Sequence, residues 1–106
     1  MADEVLTVFT TWPDLETARA AARTLVEERL AACGNILPGV ESVYRWEGKV
    51  ETGAEVLVVF KTTIGRYPAL ETRLRALHPY QVPEVLALRV TDGLPAYLRW
   101  VEHSCG

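Results

Sequence analysis

Short runs of apolar and β-branched residues predict the first strands of this chain. Residues 6–10 form one such run, and residues 33–36 favour an extended backbone that Pro38-Gly39 interrupts. Because Pro38 has no N–H to donate to a ladder, we expect an edge or a bulge at this point. Apolar and polar residues then alternate over residues 40–46 with the period of a strand. Because Gly48-Lys49 follows this alternation, we expect a tight hairpin turn there.

Two later runs are apolar without interruption. Residues 56–60 end the return strand of the hairpin, and residues 85–90 form a further strand that we expect to be buried. An unbroken apolar run is typical of a strand that is covered on both faces. The sequence therefore predicts cover on both sides of the sheet, from helices or from another subunit.

Three segments repeat apolar residues every three or four positions, which predicts amphipathic helices. The first extends from residue 14 to about residue 30 and carries small alanines that let it lie close to a sheet. The second covers residues 67–77 and ends at His78-Pro79, because the residue before a proline is disfavoured in helical backbone. A last short helix is expected from residue 95 to about residue 103.

The order strand, helix, strand, strand, helix, strand, helix contains the split βαβ pattern of the ferredoxin-like fold. We expect an α+β sandwich with an extra C-terminal helix, as a single domain over residues 1–106. Right-handed crossovers put both main helices on one face of a four-stranded antiparallel sheet, which leaves the other face bare. A second copy of the chain is the simplest cover, and we expect Val56, Val58 and Phe60 to bury against neighbouring subunits.

Composition and charge exclude several classes of function. Of 106 residues, 49% are hydrophobic and 24% are charged, the balance of a globular domain. The net charge is −3 without a cluster of basic residues, so nucleic acid is not an expected partner. No apolar run approaches the roughly 20 residues that cross a membrane, and the acidic start lacks the positive flank of a secretory signal. Together with only two cysteines, this indicates a cytoplasmic protein with no membrane partner.

Two side chains are candidate metal ligands. The thiolate of Cys33 suits Cu(I) or zinc, whereas most free cysteines are simply small buried residues. His78 precedes a proline at a helix C-terminus, where a histidine can also act only as a cap. No Cys-x-x-Cys or paired histidine spacing occurs, so no closed structural metal site is expected. Neither residue lies in a nucleophile signature, and we expect no enzymatic activity.

Four further side chains are candidates for a ligand cleft: Trp46, Lys61, Tyr80 and Glu84. The first ends a predicted strand, the second follows one, and the last two lie in a loop fixed by prolines. An aromatic ring, an ammonium, a phenol and a carboxylate can line a small polar cleft. The two aromatic residues can equally pack a subunit interface, and both roles are compatible if the cleft lies between subunits.

Three segments together resemble the CutA divalent-cation-tolerance family. They are ERLAACGNILPG at residues 28–39, SVYRWEGK at residues 42–49 and LHPYQVPE at residues 77–84. The resemblance implies a ferredoxin-like subunit in a tight homotrimer, similar to the PII signalling proteins, and copper binding through cysteine and histidine. Some members carry a further cysteine at the end of the first strand, where this chain has Thr10. Cys33 and His78 therefore remain as the soft ligands.

Two functional hypotheses follow from the residues and the resemblance. The first is a cytoplasmic homotrimer that weakly binds copper or other divalent ions and takes part in the response to metal ions. The alternative is a PII-like regulatory sensor that binds a small anionic metabolite in clefts between subunits. Titration with copper and zinc, compared with a panel of carboxylates and nucleotides, separates the two.

Overall fold

A four-stranded antiparallel sheet with two helices on one face forms the centre of the structure, a computed structural model that describes residues 4–106. In chain order the elements are β1 (Val5–Trp12), α1 (Leu15–Glu27), β2 (Cys33–Trp46), β3 (Lys49–Thr63), α2 (Tyr67–Leu77), β4 (Val85–Arg89) and α3 (Pro95–Cys105). The sheet order is β2-β3-β1-β4. The predicted α+β, ferredoxin-like fold with an extra C-terminal helix is thereby confirmed.

Helix α1 forms where the sequence supplies both a cap and an apolar stripe. The Asp14 carboxylate accepts a hydrogen bond from the Thr17 N–H at 2.8 Å, which satisfies a free amide of the first turn. The stripe that α1 buries consists of Ala18, Ala21, Ala22 and Leu25. The helix ends at Glu27, earlier than predicted, and Arg29 then adopts left-handed backbone with φ of 61°.

The helix-covered face of the sheet contains residues that the sequence analysis assigned to a subunit interface. Val58 and Phe60 are fully buried and Val56 is 6% exposed, in one cluster with residues of α1 and α2. The prediction that these three bury against another subunit is therefore wrong. Side chains alternate across a strand, and the two helices cover the face to which these residues point. Leu57 and Val59 face the open side instead.

Strand β4 is exposed on the open face of the sheet. Among the strands of residues 4–106 it pairs with β1 alone and is therefore an edge strand of this sheet. Leu86 is 58% exposed and Leu88 is 51% exposed, which contradicts the buried strand predicted for residues 85–90. Both crossover helices lie on the opposite face, so the described chain places no element over these two leucines.

The second half of β2 and the first half of β3 extend beyond the sheet as an arm, residues 40–55, in which, among the described strands, β2 and β3 pair only with each other. The pairing register shifts between Leu37 and Val40, where Gly39 has a positive φ of 83°. The bulge predicted at Pro38 is thereby confirmed, and it lets β2 continue through this point as one strand. The arm exposes four large apolar side chains: Val43, Tyr44, Trp46 and Val50.

The turn at the tip of this arm lies one residue earlier than predicted. Glu47 and Gly48 have positive φ values of 50° and 79°, and Trp46 pairs with Lys49 on either side of them. Two successive positive φ values are the requirement of a type I′ hairpin turn, whose twist matches that of the strands.

Helix α3 packs at the end of the sheet near the start of β1 and is held by two arginines. Here α3 contributes to a second, smaller hydrophobic core, which consists of Val5, Ala32, Val101 and Cys105. Arg29 donates hydrogen bonds to the carbonyls of Gly106 at 3.0 Å and of His103 at 3.1 Å. Arg66 donates one to the Cys105 carbonyl at 2.6 Å. Positive charge at this end complements the negative end of the helix dipole.

Candidate functional site

Cys33 begins β2 and is half-buried beside the last helix. Its Sγ lies 3.6 Å from the phenol oxygen of Tyr97, a residue of α3. Burial, and then the contact with Cys33, raises the pKa of Tyr97 to about 12, so the phenol remains protonated at neutral pH. The thiol is thus positioned by a neighbour that stays uncharged, and part of it remains accessible.

Lys61 lies within β3, not after it as predicted, and is the cross-strand partner of Cys33. Lys61 also pairs with Thr7, and Thr7 with Leu88, so these residues share the open face. The Lys61 Nζ donates a hydrogen bond to the Asn35 Oδ1. Within residues 4–106 the ammonium forms no ion pair with a carboxylate. The open face therefore carries a half-buried cation without a counter-charge from this part of the chain.

His78 is buried at the edge of the core, beyond the end of α2. Its ring stacks on the indole of Trp12, with 4.1 Å between the ring centroids and 27° between the planes. The His78 Nε2 donates to the Thr11 carbonyl at 2.7 Å, and Nδ1 accepts from the Tyr80 N–H at 3.1 Å. Because one nitrogen donates and the other accepts, the imidazole is neutral, with its proton on Nε2.

The surroundings of His78 favour this neutral form. Burial lowers the pKa of His78, and the Thr11 carbonyl and the Glu55 carboxylate oppose that shift only in part. A metal ion requires an imidazole nitrogen with a free lone pair, and coordination through Nδ1 breaks the bond from Tyr80. These contacts support a structural role, and the assignment of His78 as a metal ligand stays a prediction.

The loop after α2 places Tyr80 against β3. Its phenol donates a hydrogen bond to the Glu55 carboxylate at 3.1 Å. Burial, and then this carboxylate, raises the pKa of Tyr80. Glu84 is exposed at the end of the same loop, and Trp46 is 59% exposed at the tip of the arm.

One chain does not bring the predicted cleft residues together. Trp46 pairs with Lys49 at the start of β3, whereas Lys61 lies near its end, roughly 40 Å away at about 3.3 Å per residue. Tyr80 contacts Glu55, between these two positions on the strand. The grouping of all four residues therefore needs contributions from a second chain and stays a prediction.

The two candidate metal ligands are also separated within one chain. Cys33 lies opposite Lys61 and hence level with Thr7, whereas His78 contacts Thr11, about 13 Å farther along β1. In the part of the chain that the structure describes, no group of three or more His, Cys, Asp or Glu side chains could hold a metal ion. If Cys33 and His78 bind one ion, they must come from different chains.

A groove that the sequence analysis did not predict lies beside the first residues of β2. It has a volume of about 580 Å³ and is bounded by α1, β2 and α3. The residues of it that carry polar or aromatic chemistry are Arg19, Arg23, Glu27, Cys33 and Trp100. They are distant in sequence, so no local motif signals the groove.

Similarity to known proteins agrees in sequence and in fold. The family model described as CutA1 divalent ion tolerance protein matches residues 6–104. The divalent-cation tolerance protein CutA of Thermus thermophilus is 50% identical over 99 residues, which are 93% of this chain and 96% of that protein. The chloroplastic protein CutA of Arabidopsis thaliana is 44% identical over 99 residues, 93% of this chain and 54% of that protein.

A solved structure extends this similarity to the three-dimensional fold. The crystal structure of CutA from Xylella fastidiosa matches with a TM-score of 0.95 at 48% identity, covering 97% of this chain and 99% of that chain. The resemblance drawn from the three sequence segments is confirmed. This chain belongs to the CutA1 divalent ion tolerance family.

Proposed function

We propose that the protein acts in the response to metal ions as a homotrimer that binds copper or other divalent ions weakly. Membership of the divalent-cation tolerance family supports the role in metal tolerance. The trimeric assembly and copper as the bound ion are further parts of this proposal, and each needs its own support. The observation that supports the proposed assembly is the apolar open face of the sheet.

The open face presents neighbouring apolar side chains from three strands. Phe9 is the cross-strand partner of both Val59 and Leu86, and Leu86 and Leu88 are more than half exposed. Full burial of one such side chain contributes roughly 1.5–3 kcal/mol. The exposed Tyr44 and Trp46 of the arm add apolar area of the kind that subunit interfaces use. Copies of the same chain are the simplest cover for this surface.

Weak metal binding suits the residues that one chain offers. Cys33 is partly accessible and is a soft ligand for Cu(I). His78 lies elsewhere in the same chain and has both ring nitrogens engaged. With few protein ligands per ion, water or buffer completes the coordination sphere, and a chelator removes the metal without unfolding the protein.

Calorimetric titration with copper tests the metal step. Cys33→Ser is expected to remove most of the binding heat, whereas His103→Ala, at an exposed position on α3, should leave it unchanged. Equal copper stoichiometry and affinity in wild type and Cys33→Ser would show that the ions are held elsewhere. A His78→Gln variant measured in parallel reports whether that side chain takes part.

A second candidate function is a PII-like sensor for a small anionic metabolite between subunits. The observation that favours it is Lys61, whose ammonium has no carboxylate partner within residues 4–106 and lies on the face that assembly would cover. A buried cation needs a compensating anion. Titration with carboxylates and nucleotides, in wild type and Lys61→Met, tests this function, and binding that survives the substitution would reject it.

We propose no catalytic activity for this protein, and we propose that it is located in the cytoplasm. The family is named for tolerance of divalent ions and not for a reaction. No helix within the described residues has the length and apolar character needed to span a bilayer. Fractionation of cells that express the full chain tests the location.

A further inference from the structure

Beyond the metal role, we propose that the groove between α1, the start of β2 and α3 binds a small planar aromatic anion. The groove has a volume of about 580 Å³, within the range of about 300–1,000 Å³ that small-molecule sites occupy. Its lining is apolar between the charged residues and Trp100: Val26 and Ile36 line it together with the small residues Ala22, Ala32 and Gly34, which leave room for a flat ring.

The aromatic wall of the groove is Trp100. Trp100 is 45% exposed, and the ring of Tyr97 lies against its ring, at 5.5 Å between centroids and a 35° tilt. Tyr97 in turn contacts the Cys33 Sγ at 3.6 Å, which ties this helix to the edge of β2. An indole held in this way offers an apolar surface that a second flat ring can contact without reordering the wall.

The charged wall of the groove is α1. Arg19 forms no hydrogen bond or ion pair with any residue between 4 and 106, so its guanidinium is available. Arg23 pairs with Glu27 at 3.7 Å, but both side chains are largely exposed, and such pairs are weak. Two guanidiniums and one carboxylate leave the lining with a net positive charge. A planar guanidinium matches a carboxylate with two parallel hydrogen bonds, which selects an anionic group on the ligand.

The first experiment separates the contribution of the aromatic ring of the ligand to binding from that of its negative charge. The probe is 2-naphthoate, which combines a flat ring with a carboxylate, and it is compared with 2-naphthalenemethanol, which lacks the charge, and with acetate, which lacks the ring. Calorimetric titration of the full chain in EDTA keeps the result independent of bound metal. We expect the naphthoate to bind about tenfold more tightly than the alcohol, and acetate not to compete.

Substitutions then assign the contacts. Arg19→Ala should weaken naphthoate binding about tenfold and leave the alcohol unchanged. Trp100→Leu should weaken both. Arg75→Ala, an exposed arginine on α2, is the matched control and should alter neither. Because Arg19 is exposed and forms no hydrogen bond or ion pair with the described residues, its variant remains a decisive test even if Trp100→Leu folds poorly.

Thiol labelling places the bound probe in the groove. Cys33 lines the groove and is half-buried, whereas Cys105 is 2% exposed and serves as an internal reference. We expect naphthoate to slow the alkylation of Cys33 by iodoacetamide at concentrations that match its calorimetric affinity. Equal naphthoate affinity in Arg19→Ala and Arg75→Ala, or unchanged labelling of Cys33, would overturn the proposal.

Discussion

The imidazole of His78 stacks on the indole of Trp12, and the pair links β1 to the loop that follows α2. Trp12 is fully buried, and its Nε1 donates to the Thr10 hydroxyl at 2.7 Å, which donates to the Val58 carbonyl at 2.9 Å. Thr10, the position at which some family members have a cysteine, therefore belongs to a satisfied network in the helix-covered core. Its hydroxyl is not directed to solvent or to Cys33.

The neutral state of His78 predicts a pH dependence of stability. Its pKa is lowered in the folded chain by burial, so the unfolded chain binds more protons near the ordinary value of about 6.5. The stabilisation that neutral His78 contributes is complete above about pH 6.5, and it is lost as the pH falls toward the lower pKa of His78 in the folded chain. We expect the free energy of unfolding to decrease between about pH 7 and pH 5.5, as measured by urea denaturation.

Two variants separate this effect from other titrations. His78→Gln should flatten the slope, and the loss of its hydrogen bonds and stacking should lower stability by about 1–3 kcal/mol at pH 7.5. His103→Gln, at an exposed position, should retain the wild-type slope. A slope that persists in His78→Gln would assign the pH dependence to other groups.

The open face predicts self-association through Leu88. Sedimentation at micromolar concentration should give a species of three 11.8 kDa chains, because the exposed leucines of β4 are buried on assembly. Leu88→Glu should shift it to smaller species, since assembly would then bury an unpaired charge. Ala76→Glu, on the exposed side of α2, is the control. A wild-type mass of 11.8 kDa would contradict the proposed assembly.

Arg29, in the turn that follows α1, should stabilise the docking of α3. Arg29→Ala removes two hydrogen bonds to the carbonyls at the end of α3, and we expect a loss of about 1–3 kcal/mol in urea unfolding. Arg29→Gly removes the same bonds but relieves the left-handed backbone, which costs a non-glycine residue roughly 1–2 kcal/mol. The glycine variant should therefore be the more stable of the two. The reverse order would show that the backbone at this position carries no such cost.

A side chain added at Gly34 should destabilise the fold. A Cβ at this position would lie 3.0 Å from the Cε1 of Phe60, so that fully buried ring would have to shift by a few tenths of an ångström. We expect Gly34→Ala to lower the free energy of unfolding by about 1–3 kcal/mol. Gly53→Ala is the matched control, because the nearest atom there is 3.8 Å away, and a loss of equal size in both variants would argue against the steric explanation.

Much of the fold could be predicted because it depends on local patterns. The strand period, the helix spacing and the order of elements are properties of neighbouring residues, and they determined the ferredoxin-like architecture and its extra helix. The predicted turn lies one residue too late, because Glu47 adopts a positive φ and a glutamate is not a residue type that indicates such a backbone. Residue types also nominated Cys33 and His78, whose soft donor atoms are visible in the sequence.

Tertiary structure decided which faces are covered and which side chains meet. The run at residues 56–60 is equally apolar on both sides, so only the position of the helices reveals that Val58 lies in the core and Val59 on the open face. Likewise, only the contact of His78 with β1 engages its Nε2, through the Thr11 carbonyl, and only the register separates His78 from Cys33. The sequence by itself therefore determined the elements, their order and the family resemblance. Which side chains meet depends on contacts between residues distant in the chain, which local periodicity does not encode.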